Sequence, residues 1–122
     1  KLIELIKKNE KYKFGFSKRK QNFMIKFYEM ISSKIISEQR LKNLNNELFN
    51  QELLQVSGIG QWSVDMIKIF YFNNLNVWPE GDLVIKRKVR KINHELGLNI
   101  NYKKEFYPYL SILSLHFWKS SD

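Results

Sequence analysis

Leu53-Leu54-Gln55-Val56-Ser57-Gly58-Ile59-Gly60-Gln61-Trp62-Ser63-Val64-Asp65-Met66 stands near the middle of the chain, and the architecture is read outward from it. Residues 46–55 ahead of the turn have the spacing of a short helix, with Leu48, Leu53 and Leu54 as its apolar positions. Residues 61 to about 71 behind it form a second predicted helix, spaced by Val64, Met66, Ile67 and Phe70. Between them, Ser57-Gly58-Ile59-Gly60 is too short for a strand and has glycine at alternate positions. Glycine permits positive φ and the close approach of another backbone. A tight hairpin that opens into a helix points N–H groups outward, where the helix dipole helps them hold a phosphate.

This stretch resembles the helix-hairpin-helix element of the helix-hairpin-helix/Gly-Pro-Asp superfamily of DNA glycosylases. The usual form is Leu-Pro-Gly-Ile-Gly, a further residue, then Trp or Lys; Ser57 replaces the Pro here. A second match follows in Asn76-Val77-Trp78-Pro79-Glu80-Gly81-Asp82-Leu83-Val84-Ile85-Lys86-Arg87. It is similar to the Val-Phe-Pro-x-Gly-Asp-Leu segment of the alkylated-base (3-methyladenine) branch, whose Asp is catalytic. A third match, Tyr107-Pro108-Tyr109-Leu110-Ser111 running on to Leu115-His116-Phe117-Trp118, resembles the family's Pro-Trp/Tyr-Arg-Ser and final helix, with Leu110 at the Arg position. Gly15-Phe16-Ser17-Lys18-Arg19-Lys20 resembles the family's Gly-Leu-Ser-x-x-Lys turn. The resemblance covers nearly all of this chain, and implies that residues 1–122 are one domain corresponding to the C-terminal two-thirds of the family domain. It further implies a helical segment of the same protein ahead of Lys1, carrying part of the base pocket.

Composition sets the outer bounds. The 122 residues are enough for one domain, and 43% hydrophobic with 15% aromatic residues can build a core. A formal net charge of +9 favours a polyanion or an anionic membrane surface, without choosing between them. No apolar run reaches the roughly 18 residues of a membrane span. The opening Lys1-Leu2-Ile3-Glu4 puts an acid where a signal peptide's apolar region begins. The chain has no Cys, so it has no disulfide, thiolate zinc site or iron–sulfur cluster of its own.

Helical periodicity runs through every long segment, and no alternating strand pattern competes with it. The prediction is therefore an all-α helical bundle. Residues 1–10 have the pattern of a helix end, and Ser17 is a candidate N-cap for a helix reaching about Ser32. Phe23, Phe27, Tyr28, Met30 and Ile31 form its expected core stripe. A short helix is predicted over 37–44. Asp82 opens a long amphipathic helix with Leu83, Ile85, Val89, Ile92 and Leu96 inward, and Gly97 is placed to end it. Pro108 suits the first turn of a last helix.

Asp82 has two compatible readings. Its position marks an ordinary N-cap, and the resemblance marks the catalytic carboxylate. A carboxylate held by helix N–H groups has its charged form favoured. Cleaving a base from deoxyribose builds positive charge on the sugar, which an ionised Asp beside it stabilises. Trp62 stands where strand-cutting members place a nucleophilic Lys; an indole forms no Schiff base, so the resemblance implies a monofunctional enzyme. It also maps the base pocket onto Trp62, Met66 and Tyr109, where electron-rich rings attract a cationic alkylated purine.

The expected DNA contacts are Gly58, Ile59, Gly60, Gln61 and Ser63 at the hairpin, with Lys86 and Arg87, and Lys88 beside them. The resemblance adds a sodium or potassium ion on the hairpin carbonyls. No side-chain metal site is expected, since His94 and His116 have no ligand partner at helical spacing. The implied partner is double-stranded DNA containing damaged bases, with no membrane involved, and the implied location is the cytoplasm and nucleoid, or a nucleus. The rival reading is a non-catalytic helix-hairpin-helix DNA-binding module, or an inactive fragment of a glycosylase.

Overall fold

The computed structural model describes residues 17–120. The helix expected over 1–10, and Gly15 and Phe16 of the basic turn, lie outside the described residues. Seven α-helices and one π-helical turn account for all the regular structure among those described, with no strand. They are α1 (Lys18–Ser32), α2 (Glu38–Lys42), α3 (Asn46–Leu54), α4 (Gln61–Met66), the π turn Ile67–Tyr71, α5 (Leu83–Leu96), α6 (Tyr102–Glu105) and α7 (Leu110–Lys119). The all-α prediction holds.

Most helix starts are set by short polar side chains. Ser17, Ser37, Asn45, Asp82 and Asn101 each accept a backbone N–H from the first turn of the helix they precede. Gly97 ends α5 at φ 62, in the left-handed region that glycine enters without a Cβ penalty. Two boundaries differ from expectation. The last helix begins at Leu110 with Tyr109 at its N-cap, so Pro108 precedes the first turn instead of occupying it. The predicted helix over 61–71 changes to π geometry after Met66, and α6 was not predicted at all.

The segment from α4 through the π turn is the axis of the molecule. Every residue from Ser63 to Ile69 is buried, because each side of the segment faces a separate apolar cluster. Val64 and Ile67 pack with Phe27, Ile36, Leu41, Phe49, Leu53 and Ile59. Met66 and Ile69 pack with Met24, Val77, Ile85, Tyr102, Phe117 and Trp118. Truncating a residue with no exposed surface, such as Leu53 or Phe27, costs about 2–5 kcal/mol.

The expected stripes are only partly inward. Phe27 of α1 is buried, whereas Tyr28 is half exposed. Ile85 is buried, with Val89 and Ile92 partly buried against it, but Leu83 and Leu96 are exposed at the two ends of α5. α5 meets the core along its middle turns, where α7 packs on it.

Candidate active site

The loop between the π turn and α5 is fastened at both ends before it delivers Asp82. Ser111 Oγ accepts the Val77 N–H at 2.8 Å, and the Ser111 N–H donates to the Leu75 carbonyl at 2.9 Å, tying the loop to the start of α7. Trp78 stacks on Tyr102 with centroids 5.8 Å apart and rings 11° from parallel. Pro79 is buried, and its carbonyl accepts the Asp82 N–H at 3.0 Å. The carboxylate is thereby set at the head of α5, where Oδ1 accepts the Ile85 N–H at 3.0 Å.

Two indoles complete its surroundings. Trp118 Nε1 donates to Asp82 Oδ1 at 3.1 Å, and Trp62 Nε1 donates to Oδ2 at 3.0 Å. Asp82 is 5% exposed, so three N–H donors from three helices replace most of its water. Burial pulls the carboxyl pKa upward. That pull is outweighed by hydrogen bonds from Trp118, Trp62 and the Ile85 N–H and by the Lys20 charge, which hold it below the usual carboxylate range. Asp82 is an ionised, buried carboxylate.

The first turn of α1 places a cation against each indole. The Arg19 guanidinium lies 4.1 Å from the Trp62 ring centroid, and Lys20 Nζ lies 3.7 Å from that of Trp118. Lys20 is 4% exposed. Burial lowers its pKa to about 8; the Asp82 charge opposes this, while Arg19 and Lys88 add to it.

Curated proteins similar to this chain carry the names of DNA glycosylases. DNA-3-methyladenine glycosylase 1 of Schizosaccharomyces pombe is 31% identical over 114 residues, covering 88% of this chain and 50% of that protein. The alkylbase DNA glycosidase-like protein mag2 of the same yeast is 24% identical over 114 residues, covering 86% of this chain and 52% of its own. YfjP of Bacillus subtilis, provisionally named a DNA-3-methyladenine glycosylase, is 28% identical over 113 residues, with 88% and 39% covered. The chain resembles the 3-methyladenine glycosylase branch. It spans about half the length of the curated relatives it matches, or less. No family model matches, and no solved structure gives a significant match.

Among the residues that the glycosylase resemblance singles out, the structure joins Asp82 to Trp62 and separates the others. Met66, expected in the base pocket, has no exposed surface and packs in the core with Met24 and Ile69, so it offers no face to a base. Tyr109 is exposed at the N-cap of α7. Trp118, nine positions further along the same helix, lies about 13 Å away along the axis at 1.5 Å per residue. The structure brings Trp118 to the carboxylate instead. Its signal was present in the C-terminal motif, in the aromatic pair ending the last helix, and Lys20 closes the basic motif at the other end of the chain.

The hairpin is only partly as expected. Gly58 has φ +87, which suits glycine alone, and the Val56 carbonyl accepts the Ile59 N–H at 3.1 Å, closing the turn. That bond uses the Ile59 N–H, and the Ile59 side chain is buried, so Ile59 serves the turn and the core. Gly58, Gly60 and Gln61 are exposed, but Ser63 is buried. The Gln61 amide donates to Asp65 Oδ1 at 3.0 Å. The Leu53 carbonyl accepts two N–H groups, from Gln55 and Val56, whereas the Val56 carbonyl accepts that of Ile59 and keeps a second lone pair, donor chemistry that a sodium or potassium ion takes.

Lys86 and Arg87 are exposed on α5. Lys88 turns inward: Nζ donates to the Phe117 and Ser120 carbonyls and to Ser120 Oγ at 3.0 Å, so it satisfies the end of α7 and not a phosphate. No helix among the described residues is long and apolar enough to cross a membrane.

Proposed function

We propose that the chain is the catalytic part of a monofunctional DNA glycosylase, which takes an alkylated purine such as 3-methyladenine out of the duplex and hydrolyses its N-glycosidic bond. The observation that carries this reading is the buried carboxylate of Asp82, held charged by two indole N–H groups and a helix N-terminus. Oδ1 takes two of the three donors and Oδ2 takes one. A carboxylate oxygen has two lone pairs, so Oδ2 keeps one for the reaction.

In this reading the C1′–N bond breaks with its electron pair leaving on the base. A cationic alkylated purine departs neutral and needs no acid to assist it. The positive charge developing on the sugar faces Asp82, in a site with little water to screen the attraction. Water then adds to C1′, and its proton passes to Oδ2 and on to solvent, leaving an abasic site. Trp62, at the carboxylate, would offer a flipped base the ring surface that Arg19 leaves uncovered.

The hairpin at Gly58 and Gly60 supplies N–H groups for one DNA phosphate, as a helix-hairpin-helix element, with Lys86 and Arg87 as further contacts. An alkali ion on the hairpin carbonyls, Val56 among them, would add positive charge beside that phosphate. Duplex DNA with damaged bases is the proposed substrate, so the site of action is the nucleoid or nucleus.

The test is release of free base from a duplex carrying an N-alkylated purine. The parent chain should release base and leave an abasic site, and Asp82→Asn should release none. Binding without release by the parent would leave a DNA-binding module and overturn the enzyme reading.

A further inference from the structure

We propose that Lys20 is a positioning residue for Asp82: its ammonium, seated on the Trp118 ring, holds the indole N–H on the carboxylate and keeps that carboxylate charged. The inference rests on Asp82 being the catalytic carboxylate, and it goes beyond that reading by assigning a task to α1. The geometry is a relay of three groups. Lys20 Nζ lies 3.7 Å from the Trp118 ring centroid, and Trp118 Nε1 donates to Asp82 Oδ1 at 3.1 Å. Ser17 fixes the first point of the relay, since Ser17 Oγ accepts the Lys20 N–H at 3.3 Å and caps the turn.

Burying an ammonium is costly unless something replaces its water. A lysine that served packing alone at this 4% exposed position would be outdone by Met or Leu. Here the replacement is the negative face of an indole and the nearby carboxylate. A cation on the ring face draws electron density from the indole, which makes its N–H a stronger donor to Oδ1. The charge also acts directly on Asp82 through a poorly screened interior.

Arg19, on the Trp62 ring, repeats the arrangement for the second indole, but it is exposed and water screens it. Among the described residues, the charged groups acting on Lys20 are Asp82 at the head of α5, Lys88 further along α5, and Arg19 beside it on α1. With burial these bring Lys20 to about 8, so its charge is lost within an accessible alkaline range.

The experiment compares the parent chain with Lys20→Met, which keeps length without charge, and Lys20→Arg, which keeps charge. Single-turnover base release from an alkylated duplex is followed against pH at saturating protein. In parallel, NMR of the DNA-free protein follows the Asp82 side-chain carboxyl carbon and the Trp118 indole N–H.

The parent's release should decline above pH about 8, and its Trp118 N–H signal should shift through the same range. Lys20→Met should lose that alkaline limb, release base about tenfold more slowly at neutral pH, and titrate Asp82 at a higher pH than the parent does. Lys20→Arg should keep the neutral rate within a few-fold and move the limb beyond the measured range. An unchanged rate, limb and Asp82 titration in Lys20→Met would overturn the proposal. Should Lys20→Met fail to fold, the parent's Trp118 signal and the Lys20→Arg profile decide: no shift near pH 8, or a limb that Arg leaves in place, overturns it. If the parent releases no base, the glycosylase reading fails, while the Asp82 and Trp118 titrations still test the relay.

Discussion

Trp62 donates to Asp82 across 20 positions of sequence, Nε1 to Oδ2 at 3.0 Å, so the second residue after the hairpin turn and the cap of α5 act as one unit. The hairpin that would hold a phosphate is thus linked by a single side chain to the carboxylate that would face the sugar. A second indole, Trp118, closes the arrangement from the C-terminal helix.

Asp82→Asn should abolish base release while leaving DNA affinity equal or higher, because a negative charge near phosphate is removed. Asparagine still has one oxygen to accept the Ile85 N–H, but its amide then turns two donor hydrogens toward an indole N–H. That mismatch leaves a buried donor unsatisfied and should cost about 1–3 kcal/mol in chemical denaturation. A variant as stable as the parent would show that the Trp62 bond is not made in solution.

Gly58 and Gly60 should respond differently to a side chain. Gly58 has φ +87, so Gly58→Val is strained whatever the space around it, and it should lose about 1–2 kcal/mol of stability together with DNA binding. Nothing lies within 4 Å of a Cβ at Gly60, whose φ is −104, so Gly60→Ala should fold normally and lose affinity only through crowding of the phosphate. Loss of affinity should be alike for all duplex sequences, since phosphate carries no base identity. Equal denaturation midpoints for Gly58→Val and the parent would contradict the turn geometry.

Much of the architecture was legible because it depends on local chemistry. Ser17, Ser37 and Asp82 cap the helices they were expected to start, and Gly97 ends α5 in the left-handed region. The central glycines mark a turn between two helices. What could not be seen was which face of each helix meets a neighbour. Met66 has the period of a pocket residue and the burial of a core residue, because α4 is covered on both sides. Lys88 sits in a basic run whose neighbours face solvent, and only the end of α7 explains its inward turn. Trp118 and Lys20 reach Asp82 from opposite ends of the chain, a proximity that no spacing rule supplies.

Lys88 gives a direct contrast with Lys86 and Arg87. If all three met phosphates, each neutralisation would reduce the salt dependence of DNA binding by about one unit of log–log slope. Lys86→Ala should do so with little effect on stability, and Arg87→Ala should lower the slope likewise. Lys88→Met should leave the slope unchanged and cost about 1–3 kcal/mol, since the Phe117 and Ser120 carbonyls lose their donor. Salt titration of binding and urea denaturation of the three variants separate the roles.

Asp65 should make stability depend on pH near neutrality. Burial raises its pKa to about 6, against the Gln61 hydrogen bond and the Lys68 charge, with Glu80 adding a little upward. The folded state therefore binds a proton more tightly than the unfolded chain, whose Asp titrates near 4. The contribution of Asp65 is favourable or neutral at low pH and is lost as pH rises through about 6. Asp65→Asn, which keeps an oxygen for the Gln61 amide, should raise Tm by a few degrees at pH 7.5, with the gain shrinking toward pH 4. Lys68 keeps its 2.6 Å bond to Asn46 Oδ1, so it has a partner in the variant. A gain that stays constant across this range would show that Asp65 is not the titrating group.

Borohydride should trap no covalent adduct between the parent chain and damaged DNA, and the product should be an intact abasic site that breaks only on later treatment with alkali. Trapping needs an amine that attacks C1′ and forms an imine. Trp62 supplies an indole N–H at the position where a nucleophilic lysine would stand, and that N–H is already given to Asp82 Oδ2. The amine near the carboxylate with a lowered pKa is Lys20, and a value of about 8 leaves some of it neutral at pH 7.5. Geometry decides against it: its Nζ lies over the Trp118 ring, on the Oδ1 side of the carboxylate, whereas the unfilled lone pair that faces the reaction is on Oδ2. Efficient trapping by the parent would overturn the monofunctional reading. Loss of that trapping in Lys20→Met, with the fold intact by circular dichroism, would then identify Lys20 as the nucleophile.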